Sequence, residues 1–89
     1  MAWRIEYADT AKKSLAKLDR TVAKRITAFL AERVLDRAEP RSIGGPLKGS
    51  RLGNYWRYRI GGWRVVCDIQ DERLVVLVVL VGNRREVYD

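Results

Sequence analysis

Tyr55-Trp56-Arg57-Tyr58-Arg59-Ile60-Gly61-Gly62-Trp63-Arg64-Val65-Val66-Cys67-Asp68-Ile69-Gln70 is the stretch on which the fold turns. Trp56, Tyr58 and Ile60 alternate with Tyr55, Arg57 and Arg59, the period of a half-buried strand. Gly61-Gly62 supplies a tight turn. Trp63, Val65, Cys67 and Ile69 then alternate with Arg64, Val66, Asp68 and Gln70. The two runs predict an antiparallel hairpin with one apolar face and one face that carries arginine. Gln70 to Arg73 turns the chain into Leu74–Val81, a continuous apolar run. Such a run predicts a strand in a central position, covered on both faces.

Upstream, Trp3 to Tyr7 alternates apolar and charged side chains and predicts a first strand. Asp9 and Thr10 offer an N-cap for a helix, along which Ala8, Ala11, Leu15 and Leu18 form one stripe while Lys12, Lys13 and Lys17 face water. Asp19-Arg20-Thr21 breaks this helix and caps the next, where Val22, Ile26, Phe29, Leu30 and Val34 recur at helical spacing. Pro40 marks its latest possible end. Residues 39–54 hold four of the seven glycines and both prolines and are expected to form one surface loop rimmed by Arg41, Lys48 and Arg51. The order β-α-α-β-β-β predicts an α+β domain across residues 1–89. A helical hairpin packs on one face of a small, mainly antiparallel four-stranded sheet, and the other face is left partly open.

Composition narrows the chemistry. Lys plus Arg number 18 against 11 Asp plus Glu, a net charge of +7, which favours a polyanionic partner: nucleic acid, or an acidic protein that mimics one. There is no histidine and one cysteine. That removes the usual general acid–base residue, Ser-His and Cys-His nucleophiles, and any credible zinc site. No glycine-rich phosphate loop is present, and no cofactor or metal is expected. Cys67, within an apolar alternation, reads as a buried thiol. Arg4 and Glu6 interrupt any early apolar run, and Leu74–Val81 is too short to cross a bilayer as a helix. The expectation is a cytoplasmic protein with no membrane partner.

Alternation places Arg57 and Arg59 on one face with Tyr55 beside them, and Arg64 across the hairpin on the same face. Arg84 follows the last strand, with Arg85 next to it and Tyr88 beyond. Singly, each is an ordinary solvent-facing charge or terminal residue. Jointly, Arg57, Arg59, Arg64 and Arg84 rimmed by Tyr88 suit a phosphodiester backbone with one stacked base. Glu86 reads as an ion-pair partner, and Trp3, Trp56 and Trp63 as core.

These residues resemble the RelE branch of the RelE/ParE toxin superfamily, the ribosome-dependent mRNA endonucleases of bacterial toxin–antitoxin pairs. The resemblance spans nearly the whole chain. It is carried by Trp3-Arg4-Ile5-Glu6-Tyr7 and the lysine-rich helix after it, by Pro46-Leu47-Lys48-Gly49, by the hairpin above, and by Val81-Gly82-Asn83-Arg84-Arg85-Glu86-Val87-Tyr88. It implies cleavage of mRNA in the ribosomal A site without a metal, the 2′-hydroxyl attacking its own phosphodiester. Arg64 would neutralise charge on the phosphate, Arg84 would assist the leaving oxygen, Tyr88 would stack on a base, and Arg57 would lie near the attacking hydroxyl. Arg59 and Arg85 would be further RNA contacts, and Lys48 and Arg51 would meet ribosomal RNA. A cognate antitoxin with an acidic amphipathic segment is implied as partner. Two features depart from the pattern: arginine at 57 stays protonated and is a poor base, and Asn83 stands where many relatives carry histidine. The competing readings are a ParE-like gyrase inhibitor that cleaves nothing and a basic RNA-binding module without catalysis.

Overall fold

The structure, a computed structural model, describes residues 3–35, 39–47 and 55–83. In chain order the elements are β1 (Arg4–Tyr7), α1 (Asp9–Ala16) and α2 (Arg20–Phe29), which a wide π-type turn prolongs over Leu30–Val34. A 3₁₀ turn (Pro40–Ser42), β2 (Gly45–Pro46), β3 (Trp56–Ile60), β4 (Trp63–Gln70), a second 3₁₀ turn (Asp71–Arg73) and β5 (Val75–Asn83) follow. The strands form one sheet in the order β1-β5-β4-β3-β2. β1 runs parallel to β5, and the other neighbours are antiparallel.

The α+β class and the helical hairpin are as the apolar periods require. In α2 and its extension Ile26, Leu30 and Val34 are fully buried, and they pack against Tyr58, Ile60, Val65, Cys67, Val76 and Val78. Each such aliphatic side chain contributes about 1.5–3 kcal/mol by leaving water. Asp19 caps α2 by accepting the Thr21 N–H at 3.1 Å. The cap expected for α1 is different. Ala8 occupies the N-cap without a side-chain bond. The Thr10 hydroxyl donates instead to the Val79 carbonyl at 2.6 Å, and the Ala8 N–H to Val78 at 2.8 Å, so α1 is tied to β5. Among the described residues no helix is long and apolar enough to cross a membrane.

Two expectations need correction. Residues 39–54 do not form one surface loop, because their first part supplies a fifth strand. Gly44 has φ +80°, and a Cβ there would collide with the Arg57 carbonyl. Glycine alone lets Gly45 and Pro46 pair with Arg57 and Trp56. Three polar contacts then pin the segment: the Trp56 indole N–H on Ile43 O (2.8 Å), the Tyr58 hydroxyl on Pro40 O (2.8 Å), and Arg41 on both Asp71 carboxylate oxygens (3.0 and 2.9 Å). Pro40 and Leu47 are buried, and Arg41 belongs to this clip rather than to a free basic rim. The second correction concerns β5. The middle strand is β4, and β5 lies between it and β1. Val66 pairs with Leu80 and Cys67 with Val78, so Val79 is an extra, bulged residue that resets the alternation. The bulge explains a run with no period: Val76, Val78 and Val81 face the helices, Val79 joins Leu47, Val66 and Tyr55 on the far face, and Leu80 is left 37% exposed.

Candidate functional site

The β3–β4 hairpin positions three of the arginines singled out above. Gly61, with φ +60°, sits where a two-residue hairpin turn favours glycine. The register that follows sets Arg57 opposite Val66 and Arg59 opposite Arg64. Tyr58 and Ile60 are buried towards the helices, so Arg57, Arg59 and Arg64 share the opposite face. Like charges directly across two strands are unfavourable by themselves, and here Arg59 and Arg64 each have other partners.

Arg64 is only 7% exposed. Its Nη1 donates to the carbonyls of Trp63 (3.1 Å) and Gly61 (3.3 Å), which hold the guanidinium over the turn. Arg57 is half-buried and reaches outward over β2, where a Cβ on Gly45 would stand 3.4 Å from its Nη2. β5 completes the corner by bringing Gly82 opposite Arg64 and Asn83 opposite Trp63. The last described residues of the chain thus lie beside Arg64.

At the sheet edge, Phe29, Arg33, Ile43, Gly45, Arg57 and Arg59 line an open cleft of about 450 Å³. Arg33 was not among the residues picked from the sequence. The wide turn after Phe29, where the Leu35 N–H reaches back to Leu30 O at 3.1 Å, carries it there. Its guanidinium lies 5.7 Å from the centre of the Phe29 ring. The available signal was a cation flanked by the core positions Leu30 and Val34, too common a pattern to single out.

The buried titratable groups Tyr58 and Cys67 are held in their protonated forms. Burial pushes the Tyr58 hydroxyl well above its ordinary value, so it acts as a fixed donor to Pro40. Burial, reinforced by Asp68, does the same to the Cys67 thiol, which is accordingly no nucleophile. What the face offers is fixed positive charge with planar, forked donors, suited to an oxyanion such as a phosphodiester.

A family model for the ParE toxin of the type II toxin–antitoxin system parDE matches residues 5–88. The chain belongs to the RelE/ParE toxin family. It is 34% identical over 90 aligned residues to the mRNA interferase toxin RelE of Escherichia coli K12, covering 99% of this chain and 92% of that protein. It is 30% identical to the toxin RelG of Mycobacterium tuberculosis, covering 99% and 98%. Among solved structures, the M. tuberculosis toxin–antitoxin complex RelBE2 superposes with a TM-score of 0.83 at 25% identity, covering 94% of this chain and 93% of that one. The isolated E. coli RelE toxin superposes with a TM-score of 0.71 at 25% identity, covering 92% and 84%.

In this RelE/ParE toxin, then, Arg57, Arg59 and Arg64 converge on one face and Arg33 joins them at its edge. Lys48, Arg51, Arg84, Arg85 and Tyr88 lie outside the described residues.

Proposed function

We propose that this toxin is a ribosome-dependent endoribonuclease that cuts mRNA in the ribosomal A site, works in the cytoplasm and is neutralised by a cognate antitoxin. The observation that carries the reading is the register placing Arg59 opposite Arg64, with Arg57 two residues along the same face. Three guanidinium groups gathered on one face of the sheet suit a bound polyanion. The kinship with proteins named mRNA interferase and with toxins solved in complex with an antitoxin supports the reaction and the partner.

In the proposed step the 2′-oxygen of a nucleotide attacks the adjacent phosphorus while the bond from phosphorus to the 5′-oxygen breaks. The 2′-hydroxyl gives up its proton, the 5′-oxygen gains one, and the products are a 2′,3′-cyclic phosphate and a 5′-hydroxyl. Negative charge builds on the phosphorane-like transition state, and Arg64, held in place by the Trp63 and Gly61 carbonyls, stabilises it more than the ground state. Arg57 acts through its charge, favouring ionisation of the attacking hydroxyl without taking the proton itself. Arg84 serves the leaving oxygen and Tyr88 stacks on a base. The ribosome supplies the in-line geometry, a contribution that can reach roughly 7–11 kcal/mol, so free RNA is a poor substrate. The antitoxin is expected to present an acidic amphipathic segment to this basic chain.

Primer extension on a defined mRNA, with and without translating ribosomes, tests the reading. Cuts within A-site codons only when ribosomes are present, lost in Arg64→Ala, support it. The matching model carries the ParE name, and this favours one second reading, inhibition of DNA gyrase without cleavage. Folded protein that cuts nothing but blocks DNA supercoiling would decide for that alternative.

A further inference from the structure

The cleft at the sheet edge has its cause in unequal strand lengths. β2 pairs only with Trp56 and Arg57, whereas β3 runs on to Ile60. Beyond Arg57 no described strand lies against the outer edge of β3. The cleft opens beside this uncovered stretch, between β3 and the wide turn after α2. Its floor is apolar: the buried Tyr58 ring and the half-buried Phe29 ring meet there with centres 6.3 Å apart, and Ile43 lies alongside. Its rim is cationic. Arg33 comes from the turn and Arg57 and Arg59 from β3, and no carboxylate borders the cleft among the described residues.

Arg33 joins floor to rim. The Phe29 ring backs its guanidinium at 5.7 Å, and the exposed group borders the cleft. A guanidinium plane held against a ring is a surface on which a nucleobase stacks. Three guanidinium groups with no acid among them suit an anion that carries more than one charge. A phosphomonoester carries about −1.5 to −2 at pH 7, whereas a phosphate within a nucleic-acid chain carries one. The volume, about 450 Å³, falls within the roughly 300–1,000 Å³ of small-molecule sites. We infer that the cleft binds a free mononucleotide, its base against Arg33 and its terminal phosphate between Arg57 and Arg59. Because those two arginines also serve the cutting face, a bound mononucleotide competes with the message. That consequence rests on the nuclease reading above; the binding itself does not.

The test is isothermal titration calorimetry of the full chain with the four ribonucleoside 5′-monophosphates. The matching nucleosides, inorganic phosphate and a dinucleotide without a terminal phosphate serve as comparators. At least one monophosphate should saturate the protein, and its nucleoside and inorganic phosphate should each bind about tenfold or more weakly. The chain has no histidine, so no side chain of ordinary pKa titrates between pH 5 and 8. Monophosphate affinity should therefore fall as pH drops through the second phosphate pKa, near about 6, while that of the dinucleotide stays level. Arg33→Lys keeps the charge and loses the plane, and should bind about fivefold or more weakly. Lys13→Gln, on α1 and outside the cleft, should bind like the parent; circular dichroism of both variants controls for folding. The inference is overturned if no monophosphate saturates, or if Lys13→Gln loses as much as Arg33→Lys, which would mean general attraction to a basic chain. A dinucleotide that binds as tightly as the monophosphates, and keeps its affinity in acid, assigns the cleft to an RNA chain and also overturns it. Primer extension with saturating monophosphate should show slower ribosome-dependent cutting. If the parent binds a monophosphate and cuts nothing, the site stands and the nuclease reading fails; if it cuts and binds none, the reverse holds.

Discussion

On the helix side of the β3–β4 hairpin, Tyr58, Val65 and Cys67 are fully buried against Ile26 and Leu30. On the far side, one peptide plane away, Arg59 stands opposite Arg64. The same strands therefore carry one surface whose every contact favours folding and another whose central pair opposes it. A strand can hold both because alternate residues belong to different environments. In the proposed reading the Arg59–Arg64 corner of the far face answers to a ligand, while Val66 and Leu47 on that face still pack for the fold.

The largest expected effect tests the first half of that contrast. Ile26→Ala removes a fully buried side chain and should cost about 2–5 kcal/mol, a large share of the roughly 5–15 kcal/mol available to a domain. Urea unfolding measures it, and a loss under 1 kcal/mol would mean that the helix-side packing is not what holds the sheet.

Arg64→Gln should show the opposite profile. Ribosome-dependent cutting falls about 100- to 1,000-fold, as when one preorganised donor is removed from a charge-stabilising site. The unfolding midpoint should stay near that of the parent, since relief of the facing Arg59 offsets the lost carbonyl contacts. A variant that cuts normally, or that unfolds, would erase the distinction between the faces.

Tyr58→Phe probes how the two regions are joined. It leaves the Pro40 carbonyl without its buried donor and should cost about 1–3 kcal/mol. Amide hydrogen exchange should show that loss first in residues 40–47, and uniform acceleration across the sheet would contradict the role of the hydroxyl as a local pin.

The smallest effect belongs to Asp71→Asn, which loosens an exposed clip and should cost about 0.2–1 kcal/mol. The hydrogen bonds from Arg41 hold the Asp71 carboxyl below its ordinary value. A group lowered in this way stabilises the fold above its unfolded-state pKa and ceases to do so as pH falls through the lowered one. Parent and variant should therefore differ near neutrality and converge in acid. A gap that persists at low pH would point to packing instead of charge.

Much of this was legible in order along the chain. The alternation in Trp56–Gln70, the glycine turn and the three-and-four spacing of Val22 to Val34 are local signals, and local steric rules make them structure. The segment around Gly44 was not legible, because its strand exists only where Trp56, Tyr58 and Asp71 come from elsewhere to hold it. The apolar run of β5 concealed its bulge for a related reason. When both faces are covered, no period records which residue is the extra one. Arg33 was missed because a wide turn, not a residue type, brings it to the cleft.

The sequence by itself determined the α+β class, the shared face of Arg57, Arg59 and Arg64, and the excess of positive charge, since each follows from composition or from a period of two or 3.6 residues. Tertiary structure alone decided the fifth strand, the direct opposition of Arg59 and Arg64, and the arrival of Gly82 beside Arg64. Those depend on register and on contacts between residues far apart in the chain, where the free energy of one segment is set by surfaces that another supplies.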